Sequence, residues 1–349
     1  MAGVSRQIRS DLRDIMQPDT TDSNEPVRKM HLHRLISLIP VSYPLGWTLL
    51  AAAFLAASFL ILWLIEGSLL HLDATVMISV IIALEGMIIS WAYRKVSSFE
   101  EVLAAVVDLP REELRRTFKK QEAEIFSDRG MIIFSAFFIL FVHIAGIDYH
   151  AVAFNSIVSA TVFKLGYYFA VYLEAAGLYI LIMTALAVHR IGLLPLRLNA
   201  LYSDFHAIGT VYFKFTICAA AVYVIWGFFH IIVPPQFSSL QMILWFLGFA
   251  LLLFAYFILP QYSIHRMMMS TKREKIELFS SQLRAAMDSS QGAPTDENVS
   301  NLKDIFLVSE KMGQMCEWPF GSQELLYITL IIIIPLVVVI LEIALGIIK

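Results

Sequence analysis

The chain has 349 residues, 58% of them apolar and only 16% charged, against roughly 25% charged in an ordinary soluble domain. With a mean hydropathy of +0.70 and a net charge of −3, its 26 basic and 29 acidic residues cannot clothe a soluble surface of this size. A soluble enzyme, a disordered chain, a coiled coil, a disulfide scaffold and a dedicated nucleic-acid binder are thereby excluded, and an all-α polytopic membrane bundle is expected.

Residues 1–39 form a polar N-terminal segment of mixed charge, unlike the basic-then-apolar start of a cleaved signal peptide. Within it, Met30-His31-Leu32-His33-Arg34-Leu35-Ile36 reads as a short basic interfacial segment. His31 and His33 are two apart and do not share a helix face, so no metal site is expected there. A spanning helix needs about 20 largely apolar residues. Seven segments qualify: Gly46–Ile65, Ala74–Tyr93, Met131–Ile147, Leu165–Val188, Ile208–Val233, Leu240–Leu259 and Leu325–Ile348. Ala151–Phe163 either extends the third or forms a separate outer helix. The runs are continuous and do not alternate, which excludes a β-barrel.

The domain plan is a cytoplasmic segment (1–39), a six-helix transmembrane bundle (40–260) with a helical loop at 94–130, a cytoplasmic helical hairpin (261–324) and a seventh transmembrane helix (325–349). In the first loop, Asp108-Leu109-Pro110-Arg111-Glu112-Glu113 predicts a helix start capped by Asp108. In the second, Arg266–Met287 continues the sixth span as helix, and Asp288–Asn298 breaks it. Val299–Met315 forms a second helix with Leu302, Ile305, Phe306 and Ser309 on one face. Trp318-Pro319-Phe320 then anchors and turns the chain into the seventh span, and is a candidate hinge together with Pro335.

Nearly all Lys and Arg fall in the N-terminal segment and in the loops after the second, fourth and sixth spans. On the other side stand only Lys164 and Lys349, while Lys214 lies within the fifth span. This asymmetry predicts a cytoplasmic N-terminus and an outer C-terminus in a cell membrane. The sequon Asn298-Val299-Ser300 then faces the cytoplasm.

Ionisable groups inside a membrane are costly and are the default functional candidates. They are Glu85 in the second span, His143 in the third, Glu174 in the fourth and Glu342 in the seventh. Gly166, Ala170, Glu174 and Gly177 form a small-residue stripe that turns Glu174 into the bundle, with Tyr167 as a hydrogen-bond donor on that face. These groups are read either as sites along a cation or proton route or as neutral pairs that fix helix packing. No metalloprotease helix, nucleophile elbow or phosphate loop occurs, and Cys218 and Cys316 have no metal-ligand spacing, so no enzyme, cofactor or metal is expected.

The layout of seven spans, a cytoplasmic N-terminus, short outer loops and a helical segment before the last span resembles the seven-helix ion-channel superfamily that contains the insect odorant and gustatory receptors. The resemblance implies a homotetrameric cation channel or channel-like receptor whose last span, here Leu325–Ile348, lines the pore. It implies that Gln261–Glu324 anchors the tetramer. The Thr-Tyr…Gln-Phe pattern of gustatory receptors has no counterpart in Leu326-Tyr327-Ile328-Thr329 and the rest of that span. Leu194-Pro195-Leu196…Asp204 and Trp318-Pro319-Phe320 also look like prokaryotic multi-pass membrane proteins of unassigned activity. The expected partners are the lipid bilayer, further copies of the chain and a small ligand or cation. Two other readings stand beside the channel: a small-solute or proton-coupled transporter using Glu174 and Glu85, and a membrane scaffold or sensor whose cytoplasmic helices bind a soluble partner.

Overall fold

The computed structural model describes residues 30–144 apart from 68 and 70, residues 154–192, 194, 202–232 and 239–289, and scattered positions between 306 and 337. Among these residues every regular element is a helix. In chain order they are α1 (His31–Ser37), α2 (Tyr43–Ile61, prolonged by a π turn over Leu62–Glu66), α3 (Leu72–Ser97), α4 (Glu100–Val106) and α5 (Arg111–Ile125). They continue as α6 (Asp128–Ile144), α7 (Ile157–Ile191), α8 (Tyr202–Ile232) and α9 (Ser239–Ser289).

Six stretches are long and apolar enough to cross a membrane: Tyr43–Glu66, Leu72–Ser97, Arg111–Ile144, Ile157–Ile191, Ile208–Phe229 and Leu247–Gln282. They overlap the first six expected spans. Large apolar side chains such as Phe59, Leu60, Phe137, Leu140, Leu165 and Leu259 point outward from them, as a lipid-facing surface requires. Most of Leu325–Ile348 lies outside the described residues, as do Trp318, Pro319, Pro335 and Glu342. The breaker at Asp288–Asn298 and the expected helix Val299–Met315 fall outside them too, save for the last helical residues of α9 and for Phe306, Leu307 and Glu310, which are helical.

α3 buries a stripe of Ile78, Ile81, Ile82, Glu85, Ile89, Ala92 and Val96, the three-to-four spacing of one helix face. α2 packs closely on it. A Cβ added at Gly86 would lie 2.1 Å from the Trp47 ring, and the Trp47 indole N–H donates to Ser90 Oγ at 2.8 Å. α7 is the axis of the bundle and packs against α2, α3, α5, α6, α8 and α9. Its 35 residues rise about 52 Å, well beyond a hydrocarbon core of about 30 Å. Ser156 caps its start by accepting from the Val158 N–H at 3.1 Å. Glu66, at the end of the π turn, accepts the Ser156 and Asn155 N–H groups at 2.8 and 3.1 Å, which places an acid at the positive end of that helix. Gly67 supplies the left-handed turn that follows, with φ 64°.

Ile157–Phe163 belongs to α7, so this stretch neither extends the third span nor forms a helix of its own. The apolar run there is the start of the fourth span, capped by Ser156. The start of α5 is also different from the expectation. Its N-cap is Pro110 and no side chain caps it, with Asp108 two residues upstream. The fixed backbone of Pro110 starts the helix by itself. A separate short helix, α4, precedes it.

α9 runs unbroken for 51 residues, so the sixth span and the expected Arg266–Met287 helix are one element. Pro260 sits inside it. Proline has no N–H to offer the carbonyl four residues earlier, which is that of Tyr256. The Tyr212 hydroxyl of α8 donates to that same carbonyl at 2.8 Å. The neighbouring helix thus supplies the bond that the proline removes.

The short helix α1 is clamped at the end of the bundle where α6 begins. Asp128 Oδ1 accepts the His31 backbone N–H and the His31 Nδ1–H, each at 2.7 Å, and Arg34 donates to Oδ2 at 2.8 Å. With Nδ1 protonated, His31 Nε2 accepts from the Tyr172 hydroxyl. His33 points elsewhere, with its ring 4.3 Å from Tyr43 and 4.8 Å from Tyr93. Nearby, Arg190 at the end of α7 pairs with Glu124 of α5.

Candidate functional site

Two of the intramembrane acids come together. Glu85 sits at the middle of α3 and Glu174 at the middle of α7, and both line one cleft between α3, α7, α8 and α9. Around them the lining is apolar and aromatic, including Ile89 and Leu173 on one side and Phe215, Tyr223 and Phe249 on the other. Cys218, a free thiol, also lines it.

Glu85 is 3% exposed. Its Oε1 accepts the Trp226 indole N–H of α8 at 2.8 Å, while its buried Oε2 has no hydrogen-bond partner. A buried polar atom left unsatisfied costs roughly 1–3 kcal/mol, more when charged, so such an atom calls for an explanation. Glu174 is half-buried on the facing helix. Among the described residues the cleft thus holds two carboxyl groups and no basic side chain in its lining. An ionised carboxylate is expensive there unless a cation or proton accompanies it.

The small-residue stripe works in two ways. A Cβ at Gly166 would lie 2.0 Å from the Phe54 ring, so this glycine admits α2 to close contact. Gly177 has nothing within 4 Å of an added Cβ and faces the cleft, so this glycine keeps space open. Tyr167 is not part of the lining. It is 2% exposed and packs edge-on to Trp226 at 6.3 Å and stacked with Phe229 at 6.4 Å. It belongs to the aromatic layer that fixes the indole holding Glu85. His143 lies on an exposed face of α6, away from the cleft, and is not brought together with either acid. Lys214 is likewise exposed.

Trp226 is the residue that the sequence reading missed. An indole N–H within an apolar helix needs an acceptor, and few acceptors exist in the spans. That signal was present, but the choice of Glu85 was not, because the pair is 141 residues apart. Among the described residues no group of three or more His, Cys, Asp and Glu could hold a metal ion. No known family model, curated protein or solved structure matches this chain.

Proposed function

We propose that the chain is a seven-span membrane transporter, with its N-terminus in the cytoplasm, that moves protons through the cleft, with or without a small solute. Glu85 and Glu174 are its exchange sites. The observation that supports this most is the unpartnered Oε2 of Glu85 in a cleft shared with Glu174. A buried carboxyl oxygen used only for packing is as a rule paired. The cleft also lies within a single chain, which favours transport by each copy over a pore shared between copies. Gly177 and the free volume beside it give the site room to accept and release its cargo.

The test is proton uptake into liposomes that hold the purified full chain, driven by a potassium potential set with valinomycin and read by an internal pH dye. The wild type is expected to acidify the lumen. Glu85→Gln and Glu174→Gln are each expected to slow it by about tenfold or more, the scale of an essential proton-transfer group. Wild-type rates equal to empty liposomes, or unchanged rates in both variants, would overturn the reading.

A further inference from the structure

The lining of the cleft restricts what it can bind. Among the described residues no Lys, Arg or His lines it, which leaves an anion without a counter-charge there. Beyond the two carboxyls, the Tyr223 hydroxyl and the Cys218 thiol are the only polar side-chain groups among the described lining residues, too few for a sugar or a peptide. A bare divalent cation needs about six oxygen ligands, and the described residues hold no acid or histidine cluster of that kind. What remains is carboxylate charge at one place and aromatic faces beside it. Tyr223 and Phe249 stack with ring centres 6.2 Å apart, and Phe215 leans on Trp91 at 5.0 Å. Leu252, a lining residue, is 41% exposed, so the rim of the cleft reaches the apolar outer surface of the described helices.

We propose, resting on the transport reading above, that the substrate is a lipophilic organic cation: an amine or quaternary onium with alkyl or aryl substituents. The positive centre sits against Glu85 and Glu174, and its substituents lie on Phe215, Tyr223 and Phe249, where the ring faces attract a cation. The unpartnered Glu85 Oε2 is the contact waiting for that charge. Binding exchanges charge for charge. The O–H bond of a protonated carboxyl breaks, the proton leaves to solvent and the onium pairs with the carboxylate. No redox change is involved. Among the described lining residues, Glu85 of α3, Glu174 of α7, and Cys218 and Tyr223 of α8 are the titratable groups, and α9 contributes none.

The experiment is isothermal titration of tetraphenylphosphonium into the full chain in detergent, in two buffers of different ionisation enthalpy. The wild type is expected to bind saturably, to release a proton and to bind more weakly as pH falls. Glu174→Gln is expected to weaken binding by about tenfold or more, as loss of the counter-charge of a desolvated cation requires. Gly177→Leu fills the cleft at a position with free space and is expected to abolish binding while the protein stays monodisperse on gel filtration. The neutral triphenylphosphine oxide is expected not to compete. Absence of saturable binding, binding unchanged in both variants, or equal competition by the neutral compound would overturn the proposal. Proton flux without phosphonium binding would defeat this substrate class and leave transport standing. Phosphonium binding without flux would do the reverse.

Discussion

At the scale of single residues, the bundle depends on which donor meets which acceptor inside it. Trp226 is a donor only, and Glu85 Oε1 is its acceptor. Trp226→Phe removes the one hydrogen bond that Glu85 makes and leaves a buried carboxyl bare. It is expected to cost about 1–3 kcal/mol, read as a lower midpoint in thermal unfolding followed by circular dichroism in detergent. Glu85→Gln keeps an oxygen for the indole and is expected to cost less; an unchanged midpoint in Trp226→Phe would refute this arrangement. Two glycines, one at the α2–α3 contact and one in the cleft, behave oppositely for a steric reason. Gly86→Ala drives a Cβ into the Trp47 ring and is expected to cost about 1–3 kcal/mol. Gly177→Ala meets open space and is expected to be neutral or to stabilise by up to about 1 kcal/mol, since glycine weakens a helix interior. Equal effects at the two positions would show that the packing of α2 on α3 is not as described.

At the scale of elements, the proline of α9 and the tyrosine of α8 form one device. Tyr212→Phe strips the partner from the Tyr256 carbonyl and is expected to destabilise by about 1–3 kcal/mol. Pro260→Ala restores the helical N–H to that carbonyl, so the same tyrosine change in the alanine background is expected to be near neutral. The double-mutant cycle is expected to show coupling of about 1 kcal/mol or more, and simple additivity would refute the pairing. The α1 clamp gives a second test. Asp128→Ala removes the acceptor of His31 and Arg34, so trypsin is expected to cut after Arg34 several-fold faster in the intact protein. An unchanged cleavage rate would mean that Leu32 and Ile36 hold α1 without the clamp. Elements were legible in the sequence to different degrees. The first six spans could be read because a membrane helix must be continuously apolar over its length, whatever its neighbours. The start of α7 was misassigned because Ser156 and the Glu66 that supports it lie far apart in the chain. The cap of α5 was misassigned because Asp108 has the right chemistry two residues too early.

At the scale of the whole molecule, the scarcity of charge has a spatial order. The ion pairs Arg34–Asp128 and Arg190–Glu124, with His31 bonded to the same Asp128 carboxylate, gather at one end of the bundle, where α1, α5 and the start of α6 meet. That end carries the basic residues from which a cytoplasmic N-terminus is inferred. Between the ends, Glu85 and Glu174 share one cleft, and α7 ties the surrounding helices together. The sequence named both acids, because an ionisable group in an apolar span is conspicuous. It did not reveal that they share a cavity, nor that His143 and Tyr167 stand outside it. Those facts depend on how α3, α7, α8 and α9 are rotated against one another, and apolar runs with little amphipathic asymmetry leave that rotation unmarked.

In the proposed transporter both carboxyls serve one route. Proton uptake into liposomes by the wild type, Glu85→Gln, Glu174→Gln and the double variant tests it most directly. Each single change is expected to cost about tenfold or more, and the double change no more than the larger single loss, as for groups that act as a unit. Full wild-type uptake by the double variant would contradict the account.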